Sequence, residues 1–135
     1  MTDCDKNEMI FIVDDNPTDI ELTTIALEAV GPQISVCSAT DGKSALEMLR
    51  NRRELPALIL LDIKMPGMDG IEVLREIRAH DRLRGLPVVV VTSSALESDR
   101  VDAITAGASG YLQKPLSLVN FSNDLESVVQ RWLTY

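Results

Sequence analysis

Five short apolar runs alternate with helix-like stretches along this chain, and no other feature narrows its possible folds so sharply. The runs are Met9 to Val13, Ile34 to Ala39, Leu58 to Leu61, Val88 to Val91 and Tyr111 to Gln113. Strands separated by helical patterns read as βαβ units, because parallel neighbours need a long crossover between them. The runs differ in kind. Ile10-Phe11-Ile12-Val13, Leu58-Ile59-Leu60-Leu61 and Val88-Val89-Val90-Val91 are apolar at every position. A strand that is apolar on both faces is covered on both, which places these three inside the sheet. Ser35-Val36-Cys37-Ser38 and Tyr111-Leu112-Gln113 are mixed and suit the edges. With right-handed crossovers the order 2-1-3-4-5 fits, that of a flavodoxin-like, doubly wound five-stranded parallel sheet of the α/β class.

Five helices fit between and after these strands. The first opens near Pro17 and ends at Gly31-Pro32. The second covers about Lys43 to Asn51, after the turn Asp41-Gly42. The third runs from Gly70 to near His80, and the fourth from Glu97 to Ala106, stopped by Gly107. The fifth opens near Ser117 and runs almost to the end. Its residues Leu118, Phe121, Leu125, Val128, Val129 and Trp132 form one helical stripe, read as core packing. A chain of 135 residues is one ordinary domain, here expected over 9–135 with a short polar tail at 1–8. The net charge of -8 opposes direct binding to nucleic-acid phosphates. No apolar run approaches the roughly 20 residues of a membrane span. The tail lacks the basic-then-apolar order of a secretory signal, so a cytoplasmic location is expected. Cys4 and Cys37 are read as one tail thiol and one small buried side chain, not as a disulfide.

Polar residues follow the apolar strands in a telling pattern. Asp14 and Asp15 follow the first strand, Asp62 the third, Thr92 the fourth and Lys114 the fifth. In an open parallel sheet, ligands bind beyond the carboxyl ends of the strands where the strand order reverses. That point lies between the first and third strands, so Asp14, Asp15 and Asp62 are predicted to meet there. Three crowded carboxylates repel one another unless one takes a proton or a cation intervenes. An all-oxygen site of this kind suits Mg²⁺. His80, the only histidine, falls in a loop and is read as a surface residue. A hydroxyl and an ammonium beside the acids suit a phosphoryl group.

These residues carry a resemblance to a family. Val13-Asp14-Asp15-Asn16, the string Leu61-Asp62-Ile63-Lys64-Met65-Pro66-Gly67-Met68-Asp69-Gly70, Val90-Val91-Thr92-Ser93 and Gly110-Tyr111-Leu112-Gln113-Lys114-Pro115 together resemble the receiver domain of two-component response regulators. The likeness covers nearly the whole chain and implies a CheY-like fold. It implies that Asp62 is the phosphoacceptor. It implies that Asp15 and Asp62 hold Mg²⁺ directly with the backbone carbonyl of Lys64, and that Asp14 holds it mainly through water. Thr92 would follow the phosphoryl group on activation and Tyr111 would turn inward with it. Lys114 would pair with a phosphoryl oxygen, aimed by a cis Lys114-Pro115 bond. Lys64 and Ser94 stand at positions that tune phosphoryl lifetime in the family. The partners implied are a sensor histidine kinase and either an effector or a histidine phosphotransfer protein. The changing surface would be the fourth helix, fifth strand and fifth helix. Gly110 stands where dimerising receivers of transcription factors often carry an acid, so a monomer or weak homodimer is implied. His80 to Pro87 and Arg131-Trp132-Leu133 resemble the stand-alone regulators partnered with phytochrome-type kinases.

Other readings fit less well. An aspartate-based phosphatase of the haloacid dehalogenase type resembles D-x-D-x-[TV] after the first strand, whereas Asp14-Asp15-Asn16-Pro17 stands here. A P-loop enzyme needs GxxxxGK[ST], which the chain lacks. A degenerate receiver would have lost some of the acids, the threonine or the lysine. The expectation is therefore a signalling module and not an enzyme beyond its own Mg²⁺-dependent phosphorylation and dephosphorylation. Its alternative output is a shuttle that passes the phosphoryl group on.

Overall fold

The computed structural model describes residues 9–31, 34–114 and 118–132, the stretch 118–122 as backbone alone. Its strands are β1 (Met9–Val13), β2 (Ser35–Ala39), β3 (Leu58–Leu61), β4 (Val88–Thr92) and β5 (Gly110–Gln113). The helices are α1 (Pro17–Val30), α2 (Gly42–Asn51), α3 (Gly70–Ala79), α4 (Glu97–Thr105) and α5 (Leu118–Trp132). All strand pairings are parallel, in the order β2-β1-β3-β4-β5. The predicted and observed elements differ by a residue or so at their ends, where helices fray and strands lose their partners.

Burial sorts the strands as their composition does. Every residue of β1, β3 and β4 is buried. β2 alternates, and β5 is half-buried up to Leu112 and exposed at Gln113. Two apolar layers enclose the sheet. On one face Met9, Phe11 and Val13 pack with Leu46, Leu49, Val73 and Leu74 of α2 and α3. On the other, Ile10, Ile12, Leu58 and Leu60 pack with Ala26 and Leu27 of α1 and with Leu125 and Val129 of α5. The α5 stripe is core packing at Leu125, Val128, Val129 and Trp132. The side chains of Leu118 and Phe121 lie outside the described residues.

Side-chain caps set where α1, α2 and α3 begin. Asn16 accepts hydrogen bonds from the backbone of Thr18 and Asp19 at the head of α1, with Pro17 as its first residue. Asp41 accepts from Ser44 and Asp69 from Glu72, starting α2 and α3. Gly70 has a further constraint. A Cβ there would stand 2.2 Å from the carbonyl oxygen of Asp62 and 2.6 Å from Ile63 Cα, so only glycine lets α3 close against the end of β3.

Cys37, buried in β2, is disulfide-bonded, which corrects its reading as a small buried side chain outside any disulfide; Cys4 lies outside the described residues. Widely spaced cysteines carry no signal of pairing, because a disulfide depends on distance in space. The expected cis bond before Pro115 also lies outside the described residues, among which no peptide bond is cis. No helix among them is long and apolar enough to cross a membrane.

Candidate functional site

Ladder hydrogen bonds carry the register of the buried strands one residue beyond their ends. Asp14 N donates to Ala39 O, Asp62 N to Val13 O and Lys114 N to Thr92 O. Asp14, Asp62 and Lys114 are thereby fixed by backbone and not left on loose loops. Asp14, Asp15 and Asp62 each offer a carboxylate oxygen, and these oxygens lie within 4.8 Å of one another. Asp14 and Asp62 are buried, whereas Asp15 is exposed. Each buried acid is held by an amide two residues on: Asn16 N donates to Asp14 Oδ1 and Lys64 N to Asp62 Oδ1, both at 3.0 Å. Their second oxygens remain for other partners.

Lys114 supplies part of what they need. Its Nζ stands 2.8 Å from Asp14 Oδ2, 2.9 Å from Asp19 Oδ2 and 3.5 Å from Asp62 Oδ2. Asp19 was not anticipated. It lies in the first turn of α1, and helical side chains lean back toward the N-terminus, which here faces the strand ends. That geometry was the available signal, since no motif marks the residue.

The electrostatics show a cluster short of positive charge. Burial pushes the Asp14 carboxyl above its ordinary range, although the hydrogen bond from Lys114 opposes this. Burial would also lower the Lys114 ammonium, but its hydrogen bonds with Asp14 and Asp19 outweigh that and hold it well above an ordinary lysine. One lysine thus stays charged while an acid beside it is pushed toward its neutral form. A hard divalent cation bound by Asp14, Asp15 and Asp62 fits this donor set, which is all oxygen and too negative without it.

Thr92 is fully buried at the end of β4. Its Oγ1 accepts from Ser94 N at 3.3 Å. Ser94 O in turn accepts from the Tyr111 hydroxyl at 3.2 Å, so the two predicted switch residues are linked through Ser94. Burial, reinforced by the nearby Asp99 charge, raises the Tyr111 phenol above its usual range. Lys64 turns its ammonium away from the acids, to Asp99 at 3.1 Å. The Ser94 hydroxyl and then Lys64 hold the Asp99 carboxyl below its ordinary range. His80 is away from this cluster; its Nδ1 accepts from Arg82 N.

Comparison with known proteins agrees with the geometry. The model of the response regulator receiver domain matches residues 10–126. The chain is 37% identical over 129 residues to a probable methanogenesis regulatory protein, FilR2, of Methanothrix harundinacea, covering 93% of this chain and 83% of that protein. It spans only 13% and 23% of two longer curated relatives. Among solved structures, it superposes on the phosphorylated cyanobacterial phytochrome response regulator RcpA with a TM-score of 0.88 at 32% identity, covering 94% of each chain. It superposes on the Mn²⁺-bound form of the response regulator Rcp1 with a TM-score of 0.83 at 30% identity, covering 93% of this chain and 94% of that one.

Proposed function

Because the chain belongs to the response regulator receiver domain family, we propose that it is the phosphoacceptor of a two-component signalling system, phosphorylated on Asp62. The observation that carries the proposal is the state of Asp62 at the end of the central strand β3. One of its oxygens is held by Lys64 N, while the other stands beside an ammonium that two further acids already share. A carboxylate with one fixed and one available oxygen is a suitable nucleophile.

In the proposed reaction, Asp62 Oδ2 attacks the phosphorus of a phosphohistidine on a sensor histidine kinase, or of a small phosphodonor such as acetyl phosphate. A P–O bond forms to Asp62 as the donor's P–N or P–O bond breaks. The electron pair leaves with the donor's imidazole or acetate. Asp14, Asp15, Asp62 and the Lys64 carbonyl would hold Mg²⁺. That ion supplies charge neutralisation at the phosphoryl oxygens. Lys114 moves its hydrogen bonds from Asp14 and Asp19 to a phosphoryl oxygen. Thr92 turns its hydroxyl to another, and Tyr111 follows. Shifting a two-state population from 1:99 to 99:1 needs about 5.5 kcal/mol, which these new charge-assisted bonds are placed to supply.

The surface proposed to read the change is α4-β5-α5. It is supported by the exposed Leu96, Val101 and Ile104 at and along α4, and by Tyr111, which joins β5 to the loop before α4. We assign residues 9–135 to this one receiver unit, working in the cytoplasm with a sensor kinase; a phytochrome-type kinase is favoured by the likeness to the phytochrome response regulator RcpA. Intact-mass measurement with acetyl phosphate and Mg²⁺ tests the reading. One added phosphoryl group is expected in the wild type and none in Asp62→Asn.

A further inference from the structure

Four hydrogen bonds meet at Ser94, a residue that lies on neither a strand nor a helix. Its amide donates to Thr92 Oγ1 at 3.3 Å and its carbonyl accepts from the Tyr111 hydroxyl at 3.2 Å. Its own hydroxyl accepts from Leu96 N at 3.2 Å and donates to Asp99 Oδ2 at 2.5 Å. Asp99 also receives Lys64 Nζ at 3.1 Å, and Lys64 N donates to Asp62 Oδ1 at 3.0 Å. The contacts therefore run from the Asp62 carboxylate through Lys64, Asp99 and Ser94 to Thr92, where they return to the strand ends. Asp99 is the member that joins the loop after β3 to the loop after β4.

Helix stability alone does not explain this use of Asp99. An acid in the first turn of α4 is favourable at a helix N-terminus wherever its side chain points. Glu97 meets that need too and, among the described residues, its ion pair is with Arg100 on its own helix. Asp99 instead reaches two other segments of chain. Beside it lies an open cavity of about 630 Å³, lined by Lys64, Pro66, Asp69, Asp99 and Asp102 among others. The Lys64–Asp99 contact therefore has room to part without disturbing packed groups.

We propose that Asp99 is a positioning residue that clasps Lys64 to Ser94 and so holds Thr92 and Tyr111 in the arrangement of the unphosphorylated chain. This rests on reading Asp62 as the acceptor and Thr92 with Tyr111 as the pair that responds. Thr92 cannot swing toward Asp62 without giving up or dragging the Ser94 amide. Ser94 carries the Tyr111 hydroxyl and is anchored by Asp99. Loosening Asp99 frees both switch residues at once, and it frees Lys64 to approach the acids.

The test uses the full chain labelled with fluorotyrosine and read by ¹⁹F NMR, with no phosphodonor present. The chain has two tyrosines, Tyr111 and Tyr135, and Tyr111→Phe identifies the relevant signal. Asp99→Ala is expected to shift the Tyr111 signal away from its wild-type position. Asp99→Asn, matched in size and still able to accept from Ser94, is expected to shift it less and in the same direction. Glu97→Gln removes a first-turn charge without touching Ser94 and is expected to leave it in place. A Tyr111 signal unmoved in Asp99→Asn and Asp99→Ala overturns the proposal, as does an equal shift in Glu97→Gln. Should Asp99→Ala fail to fold, Asp99→Asn decides. The mass measurement on the wild type separately tests the acceptor reading. If no phosphoryl group is added yet Tyr111 moves in the Asp99 variants, the clasp stands and that reading falls.

Discussion

At the carboxyl end of the sheet, Lys114 faces three carboxylates; at the amino end, Arg78 and Arg82 donate to neutral oxygens. Arg78 of α3 donates to the carbonyls of Gly107 at 2.9 Å, Arg84 at 2.9 Å and Leu86 at 2.7 Å, and to Ser109 Oγ. The same Ser109 hydroxyl accepts from Val88 N, so Arg78 ties the segments leading into β4 and β5 to α3. Arg82 donates to the carbonyls of Leu49, Arg50, Arg52 and Arg53, closing the C-terminal end of α2. The fully buried Leu83, next to Arg82, anchors the loop between α3 and β4. The arginines are satisfied and add only fastening. The lysine is over-subscribed, and the acids around it still lack positive charge. A charged group with its needs met stabilises the fold, whereas one left in conflict marks where a ligand is to arrive.

That contrast makes the two ends separable by mutation. Gly70→Ala breaks the separation by striking the fold and the site together. Its Cβ would collide with the backbone of Asp62 and Ile63, so a loss of about 3 kcal/mol in urea unfolding and weakened Mg²⁺ binding are expected. Unchanged stability would mean that the approach of α3 to β3 is not as tight as described. Arg78→Ala should act on the fold alone. It strips charged hydrogen bonds from half-buried carbonyls, with a cost of about 2 kcal/mol and Mg²⁺ affinity as in the wild type. A fall in affinity without a fall in stability would contradict the division.

Asp15→Ala should do the reverse. Asp15 is exposed and belongs to the acid cluster, so Mg²⁺ affinity should fall roughly tenfold, about 1.4 kcal/mol, at unchanged unfolding midpoint. Equal affinity by titration calorimetry would remove Asp15 from the site. Arg50→Ala sets the floor. Its pair with Glu76 joins two exposed side chains, and its loss should cost under about 0.5 kcal/mol with no effect on the metal.

The legible part of this molecule was the part written in runs and spacing. Runs apolar at every position announce burial on both faces, and the mixed strands announce edges. From these the sheet order follows, and with it the meeting of Asp14, Asp15 and Asp62. Thr92 and Lys114 were legible for the same reason, since Thr92 ends β4 and Lys114 directly follows β5. The partners that the sequence hid are those reached across turns. Asp19 arrives through the lean of a helical side chain, and Asp99 through the fold of two loops. Arg78 and Arg82 look like ordinary surface cations until their carbonyl partners are assembled. Cys37 could not be read as disulfide-bonded, because nothing in its spacing from Cys4 carries distance.

The central claim is that the crowded end of the sheet exists to take a phosphoryl group on Asp62. It is tested most directly by intact-mass measurement of wild type and Asp62→Asn, each incubated with acetyl phosphate, with and without Mg²⁺. One added phosphoryl group is expected in the wild type only when Mg²⁺ is present, and none in Asp62→Asn. An unchanged wild-type mass, or the same addition in Asp62→Asn, would contradict it.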